Sequence, residues 1–349
     1  MNNLASTFWN QGRYEEAELL DIQALEMRKK VLGEEHPDTL NSMNSLASTF
    51  WNQGRYEEAE PLQIQALEMR KKVLGEEHPD TLNSMNNLAS TFWNQGRYEE
   101  AELLDIQALE MRKKVLGEEH PDTLNSMNSL ALTFWNQGRY EESEPLQIQA
   151  LEMRKKVLGE EHPNTLNSMN NLALTFWNQG RYEESESLDI QALEMRKKVL
   201  GEEHPDTLNS INNLALTFWN QGRYEEAEPL QIQALEMRKK VLGEEHPDTL
   251  NSMNNLALTF WNQGRYEESE SLDIQALEMR KKVLGEEHPN TLTIMNNLAH
   301  TWNAGGRFAD ALALMGSCAQ ACQRVLGPDH PHTLDSFKTL DEWRKASTS

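Results

Sequence analysis

The string Leu4-Ala5-Ser6-Thr7-Phe8-Trp9-Asn10-Gln11-Gly12-Arg13-Tyr14 returns, nearly letter for letter, at Leu46, Leu88, Leu130, Leu172, Leu214 and Leu256, with a degenerate eighth copy from Leu298. The period is 42 residues throughout. An alternation of period 84 lies on top of it: even copies carry Pro61, Pro145 and Pro229, where odd copies have Leu or Ser. A fixed period of this length restricts the chain to stacked copies of one supersecondary unit. One unit cannot bury both of its apolar faces, so neighbouring copies must complete the core.

Each unit reads as two helices. His36-Pro37-Asp38-Thr39 places Pro at the first helical position and an acid in the first turn, and Gly54 stops the segment. Helix B then runs from Tyr56 to Leu74 and ends at Gly75. Arg70-Lys71-Lys72 complements its negative end and reads as a solvated face, with Glu68 placed to pair with Lys72. The short connection makes the two helices antiparallel neighbours. Helical periodicity gives helix A a core stripe of Leu40, Met43, Leu46, Ala47 and Phe50. The same reading gives helix B Tyr56, Ala59, Leu62, Ala66, Val73 and Leu74. Pro61, near the sixth residue of helix B, predicts even-numbered B helices that start late or kink. The expected fold is all-α, a solenoid of antiparallel helix pairs. Eight repeats span residues 1–336, the first truncated in its N-terminal helix and the eighth degenerate. Residues 337–349 hold the remainder of a capping helix that begins near 331, and a short tail.

The spacing Leu46, Ala47, Phe50, Gly54, Tyr56, Ala59, Ala66 resembles the tetratricopeptide repeat (TPR) pattern of large and small residues. With Tyr-Glu-Glu-Ala-Glu-Pro-Leu at 56–62 and Leu-Gly-Glu-Glu-His-Pro-Asp-Thr-Leu at 74–82, the 42-residue unit resembles the kinesin-light-chain type of TPR. The resemblance covers essentially the whole chain. It implies a right-handed superhelix whose A helices line a concave, peptide-binding face. The C-terminal copy resembles the last repeats of fungal proteins that carry a nucleotide-binding STAND (NB-ARC-like) domain, which implies a sensor role at the end of a longer receptor; a motor-light-chain-like cargo adaptor is the more remote implication. One departure touches packing. Where the family has a large aromatic, this chain has Asp21, Gln63, Asp105, Gln147, Asp189, Gln231 and Asp273, and a buried carboxylate there needs a partner such as Thr7, Thr49 or Arg28.

Composition narrows function. The formal net charge is −23, which argues against nucleic acid, since phosphates require a basic face. No apolar run is long enough to span a bilayer, the N-terminus has no secretory pattern, and two cysteines fit a reducing compartment, so a cytoplasmic location is expected. His36, His78, His120, His162, His204, His246 and His288 occupy the same site before Pro, a full repeat apart, and read as caps; Cys318 aligns with a small core position. No metal, cofactor or catalytic residue is expected: catalysis needs one preorganised site, and no candidate here is singular.

What remains is a second stripe on helix A. Stacking aligns Asn44, Asn86, Asn128, Asn170, Asn212 and Asn254 in one column, and Asn52, Asn94, Asn136, Asn178 and Asn220 in another. A carboxamide offers donors and acceptors that match a peptide unit, so a ladder of them can hold an extended backbone. Trp93, Trp135 and Trp177 add anchoring surface. Ser48 and Ser90 become Leu132 and Leu174 in later copies, which predicts a more apolar floor toward the C-terminus. The expected activity is protein or peptide binding, not enzymatic turnover. Two alternatives stay open beside it: Asn as tolerated surface polarity, and a structural array that stacks on other copies through an uncapped N-terminal face to form homo-oligomers.

Overall fold

The structure, a computed structural model, describes residues 2–347, in two compact units, Met1–Gln179 and Gly180–Ser349. Among the described residues there are seventeen helices and no strand. The first unit contains α1 (Asn2–Asn10), α2 (Tyr14–Leu32), α3 (Pro37–Asn52), α4 (Tyr56–Leu74), α5 (Pro79–Asn94), α6 (Tyr98–Leu116), α7 (Pro121–Asn136), α8 (Tyr140–Leu158) and α9 (Pro163–Asn178). The second contains α10 (Tyr182–Leu200), α11 (Pro205–Asn220), α12 (Tyr224–Leu242), α13 (Pro247–Asn262), α14 (Tyr266–Leu284), α15 (Pro289–Ala304), α16 (Phe308–Leu326) and α17 (Pro331–Ser347). Within each unit consecutive helices pack on one another as TPR-type pairs. No helix is long and apolar enough to cross a membrane among the described residues.

Helix starts follow from local chemistry. At α7 the Nδ1 of His120 accepts a hydrogen bond from the backbone N–H of Asp122 at 3.2 Å, with Pro121 at the first position. The other His-Pro sites repeat this arrangement, as at His78 and His246. An acceptor at the N-cap satisfies one of the helix's unpaired N–H groups. His120→Ala therefore lowers unfolding free energy by about 1 kcal/mol, read from urea melts of the whole chain. The A-to-B turn needs Gly138, at φ +76, and this left-handed conformation strains any residue with a Cβ.

The helix A stripe is buried as read, with Leu40, Met43 and Ala47 fully enclosed. Helix B differs. Val73 is 41% exposed, and the inward face is instead Ala59, Gln63, Ala66, Leu67 and Arg70. Arg70 thus leaves the solvated run in which its neighbours Lys71 and Lys72 place it. Its Nη1 donates to Ser84 Oγ at 2.6 Å and to Asp80 O at 3.1 Å, and its Nη2 to Asn41 Oδ1 at 2.6 Å. The guanidinium is buried because α3 and α5, on either side of its own helix, supply acceptors for it. Lys72 pairs with Glu35 of the preceding repeat, not with Glu68 on its own helix. Arg55 likewise bridges to Glu18 at 2.7 Å and Arg97 to Glu60 at 2.8 Å, each from one repeat to the next.

The proline expectation fails in one respect. α4 begins at Tyr56 and runs unbroken to Leu74, the same span as the proline-free α2. Pro61 and Glu57 are both exposed, so the carbonyl that lacks an N–H partner faces water and costs little.

Candidate functional site

On helix A the residues at positions 44, 48 and 52 follow one another at four-residue spacing and so share a face, with the two asparagine columns about 12 Å apart. The columns are half-buried in both units. Their hydrogen bonding differs, and the difference gives the face a polarity.

In the first column the carbonyl is occupied by the array itself. Asn44 Oδ1 accepts from Asn87 Nδ2 at 3.0 Å, and Asn128 Oδ1 accepts from Asn171 Nδ2 at 3.1 Å. In the second unit Asn212 accepts from Asn255 at 3.1 Å and Asn254 from Asn297 at 2.8 Å. Among the described residues, the Nδ2 groups of Asn44, Asn128, Asn212 and Asn254 donate to no protein acceptor, so these amides present donors. Asn86 is the exception. The next copy has Ser129 where a donor asparagine would stand, so Asn86 Oδ1 is a buried orphan and its Nδ2 turns to Ser126 Oγ at 3.4 Å. Asn170 is half-buried and partnered.

The second column is the reverse. Asn52, Asn94, Asn136, Asn178 and Asn220 each donate Nδ2 to the backbone carbonyl four residues back, at 2.7–2.8 Å. Their carbonyl oxygens accept nothing from the described residues. This column presents acceptors. Between the columns runs the floor, with Ser48 half-buried, Ser90 exposed, and Leu132 and Leu174 half-buried.

The tryptophans stand between floor and core. Trp51, Trp93 and Trp219 pack on the buried clusters of their repeats, and Trp93 meets Tyr98 edge-on with ring centroids 6.3 Å apart. Trp135 makes the same contact with Tyr140 at 6.1 Å, and Trp177 is half-buried. The indole N–H groups of Trp51, Trp93, Trp135 and Trp219 are buried without an acceptor. Trp51, Trp93, Asn94 and Leu132 come together around one cavity of about 260 Å³ in the first unit, with Ser90, Ser129 and Asp105 also in its wall.

Asp105 belongs to the odd-copy acids. Each takes its hydrogen bond from the threonine of the next helix A: Thr49 to Asp21 at 2.9 Å, Thr133 to Asp105 at 2.8 Å, Thr217 to Asp189 and Thr301 to Asp273 at 2.9 Å. Burial outweighs that bond. It raises the carboxyl of Asp105 and of Asp189 to about 6 and that of Asp273 to about 7. In even copies the amide of Gln147 accepts from Thr175 at 2.7 Å.

The remaining candidates are structural. Cys318 is buried and its thiol donates to Leu292 O at 3.3 Å, as a core filler does. Sequence reasoning missed three features: the donor asparagines Asn87, Asn171, Asn255 and Asn297, the burial of Arg70 and its equivalents, and the cavity at Asp105. The alternation of Ser and Asn at positions 45, 87, 129 and 171 was the available signal for the first and third. The side chains of Met1, Asn2, Asn3 and Ser6, on which the N-terminal stacking expectation rests, lie outside the described residues.

The tetratricopeptide repeat pattern matches residues 1–70, 43–114, 170–240 and 207–264, and a second tetratricopeptide repeat pattern matches 123–164, 249–290 and 291–332. A Podosopora anserina protein of kinesin-light-chain type, with nearly identical TPR-like repeats, is 32% identical. The match covers 60% of this chain and 99% of that one, with a TM-score of 0.54. BtubC (BKLC) from P. vanneervenii shares the fold at 22% identity, covering 67% of this chain and 94% of its own, with a TM-score of 0.57. No curated protein matches the chain in sequence.

Proposed function

Because this chain belongs to the tetratricopeptide repeat family, whose arrays generally mediate protein–protein interaction, we propose that the A-helix face of its first unit binds an extended segment of a partner protein through that segment's main chain. The observation that carries this reading is the opposite polarity of the two asparagine columns. A peptide unit has one N–H and one C=O, and donors on one flank with acceptors on the other satisfy both. Copying the same residues from repeat to repeat suits recognition of a backbone, which repeats, over recognition of a unique side-chain sequence. The reading makes the chain an adaptor or sensor module without turnover of its own, in the manner of the repeat end of a STAND-type receptor. A cytoplasmic setting accords with two free, buried thiols.

Fluorescence anisotropy with labelled extended twelve-residue peptides tests it. Asn94→Ala with Asn136→Ala removes two acceptors whose Nδ2 hydrogen bonds lie within their own helices. The expected result is a loss of about tenfold in affinity, near 1.4 kcal/mol, with an unchanged melting midpoint. Backbone N-methylation of the peptide abolishes binding, while shuffling the side chains of a peptide without arginine changes affinity little. Unchanged affinity in the double variant removes the proposal.

A further inference from the structure

The cavity at Asp105 is walled by residues that vary from copy to copy, and its composition says what enters it. At about 260 Å³ it is below the size of pockets that enclose a whole small-molecule ligand, and it suits a single side chain. Trp51, Trp93 and Leu132 form apolar wall, Ser90 and Ser129 leave the space open, and Asp105 contributes a carboxylate that is 3% exposed. Asp105 Oδ2 accepts from Thr133, and Oδ1 takes no hydrogen bond from a described residue. Arg112, one turn pair along the same helix, acts on this carboxylate only through space. Its own guanidinium is engaged by Ser126 Oγ at 2.6 Å, Asp122 O at 3.1 Å and Asn83 Oδ1 at 2.6 Å. A buried carboxylate without a cation bound to it, facing a cavity walled by indoles, is an unfinished ion pair.

Sequence explains why the space is here. In the second unit Leu258 stands where Ser90 stands, and Asn297 where Ser129 stands, with Asn297 committed to Asn254. Larger side chains thus occupy the equivalent positions around Asp273. Serine stands at both positions around Asp21 as well, at Ser6 and Ser45, but the next floor residue there is Ser48; Asp105 alone among the four acids combines the two serines with a leucine, Leu132.

We infer that this cavity is a specificity pocket for an arginine side chain of the bound segment, whose guanidinium pairs with Asp105 while its plane lies against the indoles. The inference rests on the main-chain reading above and adds side-chain choice to it. Arginine fits better than lysine, because a planar fork matches a carboxylate and stacks on aromatic faces. The excess of acid over base in the chain, −23, favours approach of a basic segment.

The test uses the full chain and a host peptide, an acetylated, amidated Ser/Gly/Thr dodecamer with Arg, Lys, Leu, Phe or Glu at one central position, read by anisotropy. The Arg host is expected to bind at least tenfold tighter than the Leu and Phe hosts. Asp105→Gln, which installs the even-copy residue, and Ser90→Leu, which installs the later-copy residue, each bring that ratio to within twofold while the Leu host still binds. Asp189→Gln leaves the ratio unchanged. Equal or tighter binding of the Leu or Phe host overturns the inference. So does an Arg preference that survives Asp105→Gln, or one that Asp189→Gln erodes equally, which marks it as general charge attraction. Binding that is insensitive to the central residue but weakened by Asn94→Ala with Asn136→Ala defeats the pocket and keeps the main-chain reading. An Arg preference that persists when those two asparagines have no effect does the reverse. If no host binds, both readings fall.

Discussion

Exchanging Asp105, Asp189 and Asp273 together for glutamine raises the unfolding free energy at pH 7.5 and removes most of the stabilisation that the parent chain gains on acidification. The sign follows from burial. In the unfolded chain each carboxyl titrates near 3.8; folded, Asp105 and Asp189 titrate near 6 and Asp273 near 7. Above pH 7 the folded state therefore carries a penalty of about 3 kcal/mol per site for a charge taken out of water. That penalty fades as pH falls through the folded values and is gone near 3.8, so these acids make the parent more stable at pH 5 than at pH 7.5. Glutamine carries no such charge. It leaves an amide nitrogen without a partner, as at Gln147 and Gln231, which returns about 1–3 kcal/mol of the gain. The net expectation is about 1 kcal/mol per site at pH 7.5, and no gain, or a loss, at pH 4. The surface carboxylates act oppositely. Glu58, Glu100, Glu142 and Glu268 are held below 4.5 by hydrogen bonds from arginine, and their contribution disappears only as pH falls below that value. Parent stability is thus expected to peak at about pH 5. Urea titrations of both proteins at pH 7.5, 5 and 4 decide the matter; equal pH slopes would show that the three acids are not the source.

Replacing Arg154 with leucine is expected to cost about 3 kcal/mol and to split the unfolding of the first unit into separate steps. Arg154 lies on α8 and is 4% exposed. Its Nη1 donates to Ser168 Oγ at 2.6 Å and Asn164 O at 3.2 Å on α9, and its Nη2 to Asn125 Oδ1 at 2.9 Å on α7. One guanidinium therefore fastens three helices. Its removal leaves Ser168 Oγ and the carbonyl of Leu124, which also accepts from Nη2 at 3.4 Å, buried without that donor, and hydrogen bonds to a charged group contribute about 1.5–3 kcal/mol each before the relief of no longer burying the charge is subtracted. Lysine retains charge but not the fork, so Arg154→Lys falls between. In a stacked array a weakened interface uncouples the copies on either side. Circular dichroism and tryptophan fluorescence should then report different midpoints. Leucine at full parental stability would mean that desolvation of the arginine cancels its bonds.

The A helices and their caps could be read from the chain because their causes are local: a His-Pro pair, a glycine, an apolar residue every third or fourth place. Helix B could not be read to the same depth. Arg70 and Val73 exchange their expected places because the acceptors of Arg70 lie 14 residues ahead, on Ser84, and 29 behind, on Asn41, where no periodicity within helix B records them. The asparagine columns were visible as a pattern, but their polarity was not, since it depends on Asn87 reaching back 43 residues to Asn44. Pro61 misled for the converse reason. The cost of a proline inside a helix depends on whether the carbonyl it orphans meets water, and Glu57 is exposed.

The bridges from Arg55 to Glu18 and from Lys72 to Glu35 both span 37 residues, and the same spacing recurs in both units, as at Arg139–Glu102 and Lys114–Glu77 in the first and at Arg265–Glu228 and Lys240–Glu203 in the second. Any odd copy can therefore be made the neighbour of any even copy without losing these bridges. Excision or insertion of 84 residues by slippage in the gene would preserve these bridges at the junction even where floor residues such as Ser90 and Leu174 differ, so the length of such a chain can drift while its fold stays the same.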